Sequence, residues 1–105
     1  MKKMVVALGA AALLGSVSAV QAADGEAVYQ QACLACHMTG AANAPKTGDK
    51  EAWKERIAQG NDVLYERAIN GYQGAKGYMP PKGGRANLSD DDVKAAVDFI
   101  VSQSQ

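Results

Sequence analysis

The sequence predicts an all-α domain. Three observations carry that expectation: apolar residues recur at helical spacing, capping residues stand directly ahead of those runs, and no stretch alternates at period two. Asp24-Gly25 offers an N-cap, and Ala27, Val28, Gln31 and Ala32 suit a short helix running into Cys33. The stretch from Gly40 to Gly48 is rich in Gly, Ala, Asn and Pro and reads as an irregular loop. Asp49 caps a second helix carrying Trp53 and Ile57 four residues apart, with Gly60 placed to end it. Residues 62–70 read as a third helix with Leu64 and Ala68 on one face and Gly71 as its stop. From Gly71 to Gly84 five glycines and two prolines argue against any regular element. The last helix opens on Ser89-Asp90-Asp91-Asp92, a capping box whose acidic first turn complements the helix dipole. Val93, Ala96, Val97, Ile100 and Val101 follow at i, i+3, i+4, i+7 and i+8 and give it one buried face.

Ahead of these elements stands an address. Lys2 and Lys3 form a positive n-region, Met4 to Leu14 is a small and apolar run, and Val20-Gln21-Ala22 suits signal peptidase. Residues 1–22 are therefore read as a cleaved Sec signal peptide, with a cut after Ala19 as the lesser option. The run is short for a span of roughly 20 apolar residues, so a retained membrane anchor is the weaker alternative. Cleavage after Ala22 leaves residues 23–105, one domain, exported to the periplasm. Domains of that length often borrow stability from a metal, disulfides or a cofactor. Removing Lys2 and Lys3 from a chain balanced at 11 basic and 11 acidic side chains leaves a net charge of −2. That balance, with only 6% aromatic residues, argues against nucleic acid as a partner and against an anionic membrane surface.

The chain has two cysteines and one histidine, and they form Cys33-Leu34-Ala35-Cys36-His37. Export alone would suggest a disulfide, and C-x-x-C spacing alone a redox dithiol. The histidine that follows at once points instead to covalent haem c. Two thiols on one helical turn reach the two vinyl groups of a porphyrin and form thioethers. His37 then lies beneath the macrocycle as proximal axial ligand, its second ring nitrogen donating to an acceptor. A carbonyl in the following loop, where Pro45 sits, is the natural acceptor. A thioredoxin-like unit would need a βαβ context, for which no strands are predicted.

The sixth ligand follows by elimination. No second histidine exists, Met1 and Met4 leave with the leader, and Met38 adjoins the proximal ligand. Met79 lies 42 residues beyond His37, in a Gly- and Pro-rich loop where Pro80 and Pro81 stiffen its approach. A lysine ligand or an open sixth position are the alternatives, and a methionine is otherwise core filling. A His/Met pair raises the reduction potential and blocks both faces of the iron, which suits outer-sphere electron transfer and not catalysis.

The attachment motif, the run Asn43-Ala44-Pro45-Lys46-Thr47-Gly48-Asp49 and Trp53 resemble class I cytochromes c. Within that class, Met79-Pro80-Pro81-Lys82-Gly83 and Leu88-Ser89-Asp90-Asp91 look most like bacterial cytochrome c5. The resemblance covers essentially all of residues 23–105. It implies a class I cytochrome c fold, four short helices around one covalently bound haem, with Gly25 and Tyr29 packed against Ala96, Phe99 and Ile100. It also implies that the Pro45 carbonyl accepts from His37 and that Trp53 and Arg56 meet a haem propionate. For Trp53 plain core packing weighs equally, and for Arg56 a solvated surface role. Typical c5 sequences carry a further cysteine pair after the methionine loop, where this chain has Arg85 and Leu88, so the Met79 loop is expected to rely on packing.

The function expected is that of a periplasmic electron carrier. Its partners would be a quinol-oxidising complex as donor and a terminal oxidase or reductase as acceptor. Tyr72 and Tyr78, with Lys46, Lys76 and Lys82, are candidates for a docking rim, each being otherwise an ordinary surface or packing residue. A peroxidase or gas sensor with open iron would need a distal base, which the chain lacks. A thiol oxidoreductase would need Cys33 and Cys36 free.

Overall fold

The computed structural model describes residues 24–105; the leader expected over residues 1–22, and Ala23, lie outside the described residues. Four helices carry the fold: α1 (Gly25–Ala32), α2 (Lys50–Ala58), α3 (Asn61–Asn70) and α4 (Asp90–Gln103). A one-turn helix, Leu34–His37, continues α1 past Cys33, whose backbone stays in the right-handed helical region.

Local chemistry sets the helix ends. The Asp24 carboxylate accepts from the Ala27 amide, Asp49 from Ala52, and Ser89 from Asp92, while the Asp92 carboxylate reaches back to the Ser89 amide. Each such cap contributes about 1 kcal/mol. Helices of 8, 9, 10 and 14 residues are short to stand alone in water, so packing must hold them. The expected face of α4 does this: Val93, Ala96, Val97, Ile100 and Val101 are all buried, together with Val28 and Tyr29 of α1 and Leu64 and Ala68 of α3.

α1 and α4 cross where Gly25 sits. A Cβ there would lie 2.2 Å from the Ala95 carbonyl oxygen, so only glycine permits the approach. One turn on, the Tyr29 and Phe99 rings meet with centroids 5.2 Å apart and planes at 52°. Such a tilted pair adds to the area it buries.

One departure from the sequence expectation lies between Gly71 and Gly84. Tyr72–Gln73 (β1) and Tyr78–Met79 (β2) form a two-residue antiparallel ladder, with Tyr72 opposite Met79 and Gln73 opposite Tyr78. Its turn closes by a bond from the Gly74 amide to the Gly77 carbonyl. A 3₁₀ turn, Pro81–Gly84, follows and packs against α3. Two residues per strand are too few to produce a period-two signal, and the ladder owes its place to its surroundings.

Candidate functional site

The four helices and the two loops enclose a cavity of about 520 Å³. Its walls are largely apolar, from Val28, Ala32, Leu64, Ala68, Leu88, Val97 and Ile100. Cys33, Cys36 and His37 line it from the α1 side, and Met79 and Pro80 from the hairpin. The structure thus brings both cysteines, the histidine and the candidate distal methionine to one chamber, although Met79 lies 42 residues beyond His37.

His37 is buried, and its Nδ1 lies 2.8 Å from the Pro45 carbonyl oxygen. A carbonyl only accepts, so Nδ1 carries the proton and Nε2 is left with its lone pair available to a metal. Burial holds the imidazole below its ordinary pKa, the Pro45 carbonyl pulls the other way, and the Arg56 charge adds to the lowering. The result favours neutral imidazole, the form that binds iron. The Thr47 amide also donates to the His37 carbonyl at 2.7 Å, and the Tyr29 hydroxyl donates to Thr47 Oγ1 at 3.0 Å. The proximal loop is thereby tied to α1. Its far end is tied to the C-terminal segment, where buried Ser104 Oγ accepts from the Gly48 amide at 2.9 Å.

Trp53 is buried with its ring 5.9 Å from that of His37. Its indole N–H donates to the Lys46 carbonyl at 2.8 Å, so its one donor braces the proximal loop. Arg56 lines the cavity, but its guanidinium donates to the Ala52 carbonyl of its own helix. Met38 is 57% exposed and does not line the cavity.

Cys33 and Cys36 are half-buried. Burial pushes the Cys33 thiol up to about 11. Reactive redox thiols are shifted the other way, so this environment is poor for a thiol oxidoreductase. Among the described residues no cluster of His, Cys, Asp and Glu offers an alternative metal centre.

Several site residues escaped the sequence reading. Arg67 lines the cavity with its guanidinium 4.1 Å above the Tyr72 ring, the ladder neighbour of Met79. Its place three residues after Leu64 could have put it on that face. Asn43 Nδ2 donates to the Lys76 carbonyl at 2.8 Å and latches the proximal loop to the hairpin, and no local signal announces that contact. Arg56, Arg67, Lys76 and Lys82 line the cavity, and no carboxylate does among the described residues. Tyr72 and Tyr78 are exposed, as a rim requires, whereas Lys82 turns inward. An apolar chamber with a cationic border, a thiol pair and a tautomer-fixed histidine fits haem, which is apolar across its macrocycle and anionic at its propionates.

These features define a haem-binding helical domain, and comparison with known proteins gives the family. A family model described as "Cytochrome C oxidase, cbb3-type, subunit III" matches residues 20–100. Cytochrome c-555 of Chlorobaculum tepidum is 52% identical over 99 residues, spanning 93% of this chain and 92% of that protein. Cytochrome c5 of Azotobacter vinelandii is 46% identical over 78 residues, spanning 72% and 89%. A cytochrome c solved in an electron transfer complex with nitrite reductase superposes with a TM-score of 0.69 at 41% identity, covering 78% of this chain and 95% of that one. The chain belongs to the class I c-type cytochromes, close to cytochrome c5. It has the class I fold, one covalent haem c at its single C-x-x-C-H motif, and the role of an electron carrier, not an enzyme. No described helix is long and apolar enough to cross a membrane.

Proposed function

We propose that this cytochrome is a periplasmic carrier whose iron is closed by His37 and Met79, moving single electrons from a quinol-oxidising complex to a terminal oxidase or reductase. The observation that carries the reading is the convergence of His37 and Met79 on one apolar cavity, His37 with Nδ1 bonded to Pro45. When bound, haem supplies the one-electron iron couple.

The chain's residues do the rest. Cys33 and Cys36 anchor the macrocycle through thioethers, and Pro45 orients His37. Trp53 packs beside the imidazole and steadies the loop through Lys46. Arg56 and Arg67 offer positive charge to the propionates from the cavity wall. The apolar walls exclude water and so disfavour the extra charge of ferric iron, which together with a thioether ligand raises the potential. Exposed Tyr72 and Tyr78, with Lys46 and Lys76, form the docking rim, for which a small transient interface is enough. Residues 1–22 serve as the Sec leader, cut after Ala22.

A pyridine haemochrome assay and redox titration on exported protein test this. One thioether-linked haem per chain, a reversible one-electron wave and slow binding of CO and cyanide are expected. Rapid binding of either ligand to the resting protein would contradict a closed iron. Mass spectrometry of the periplasmic fraction is expected to find Ala23 as the first residue.

A further inference from the structure

We propose that Lys82 is a positioning residue for Met79, fastening the end of the methionine hairpin to the start of α4, and is not part of the docking rim. The inference rests on the reading of Met79 as an iron ligand.

Lys82 lies three residues after Met79, in the 3₁₀ turn. Its ammonium donates to the Leu88 carbonyl at 2.7 Å and pairs with the Asp90 carboxylate at 3.2 Å. Its side chain is only 20% exposed, and this is the one ion pair among the described residues. Leu88 is itself buried, so the bond to its carbonyl is a charge-assisted one partly shielded from water. The backbone of Lys82 stands at φ +54, in the left-handed region that glycine adopts freely and lysine does not. Glycine occupies the next two positions at φ +63 and +91, so the lysine is the odd residue in a left-handed run.

Neighbouring restraints turn this anchor into a lever on Met79. Pro80 and Pro81, with φ fixed by their rings, are the only residues between Met79 and Lys82. Gly83 seats the turn against α1: a Cβ there would fall 2.3 Å from the Ala32 carbonyl oxygen. Backbone bonds from Gly83 to Pro80, Arg85 to Lys82 and Leu88 to Arg85 continue the connection into α4. Met79 cannot swing out of the cavity while that turn stays fastened, and Lys82 supplies the side-chain fastening.

The test follows the sulfur-to-iron charge-transfer band of the ferric holoprotein through a urea titration, with helical ellipticity read in parallel. Lys82→Met is expected to raise the fraction lacking the band at low urea by roughly tenfold, ahead of any loss of ellipticity. Asp90→Asn is expected to shift it the same way by about two- to fivefold, since its carboxylate is largely exposed. Asp91→Asn removes a like charge from the same helix turn and is expected to leave the band tied to ellipticity. Lys82→Arg keeps a cationic donor and is expected to restore most of the wild-type curve. A surface docking role instead predicts opposite effects of Lys82→Met and Asp90→Asn on electron-transfer rate and an unmoved band, and that result would overturn the proposal. A wild-type ferric protein without the band would overturn the ligand reading and this inference together. A wild type with the band and an unchanged Lys82→Met curve would overturn the inference alone.

Discussion

Nδ1–H of His37 donates to the carbonyl of Pro45 across 2.8 Å, and this bond decides which imidazole nitrogen keeps a free lone pair. The loop that provides the carbonyl is braced by Trp53, whose indole N–H holds the adjacent Lys46 carbonyl. Trp53→Phe keeps a ring beside His37 and deletes the brace. A loss of about 1–2 kcal/mol in urea unfolding is expected, from one buried hydrogen bond and some packing. The reduction potential is expected to fall as the imidazole gains freedom. A stable variant with an unchanged potential would show that the brace does not act on His37.

Gly25 packs against the Ala95 backbone at the α1–α4 crossing. Gly25→Val would drive a side chain into the Ala95 carbonyl, with no flexible atom to yield. A destabilisation of about 3 kcal/mol is expected by urea unfolding, since the helices must part and the Tyr29–Phe99 contact opens with them.

Gly77 is held against the Ala42 carbonyl, where a Cβ would lie 2.2 Å from the oxygen. Beside it Asn43 latches onto the Lys76 carbonyl. Gly77→Ala is expected to separate the proximal loop from the hairpin, costing about 1–3 kcal/mol, and to speed CO binding to the ferrous protein. Unchanged CO kinetics would show that this contact does not close the cavity.

Tyr65 donates its hydroxyl to Asp98 at 2.5 Å, joining α3 to α4. That bond to the carboxylate raises the phenol pKa above its ordinary value, with burial and the Asp98 charge acting in the same direction. The folded state therefore holds this proton more tightly than the unfolded state. Its stabilising contribution is full below the ordinary tyrosine pKa of about 10 and is lost as pH rises through the folded-state value. Thermal melts across that alkaline window are expected to fall more steeply for wild type than for Tyr65→Phe. Parallel curves would contradict the coupling.

What the sequence revealed was what a few adjacent residues dictate. Asp24, Asp49 and Ser89 announced their helices because a cap acts over three residues, and the apolar face of α4 repeats at the helical period. The attachment motif was legible for the same reason, since thioether geometry demands both cysteines on one turn. The Tyr72–Met79 ladder was not, because two residues per strand leave no periodic trace, and the Asn43–Lys76 latch and the burial of Ser104 were not, because each joins segments far apart in the sequence. For Lys82 both a rim and a packing role were open, because its partners, the Leu88 carbonyl and the Asp90 carboxylate at the start of α4, are brought to it only by the folded backbone. Ala42 and Lys82 adopt positive φ against local preference, which is where tertiary closure overrides propensity, whereas Asn43 beside Ala42 tolerates that region.

The central claim is an iron closed by His37 on one side and Met79 on the other. Its most direct test is the far-red sulfur-to-iron charge-transfer band of the ferric protein, measured with the reduction potential in wild type and Met79→Ala. The band is expected in wild type and absent from the variant, with a substantially lower potential. A variant whose band and potential match wild type would contradict the account.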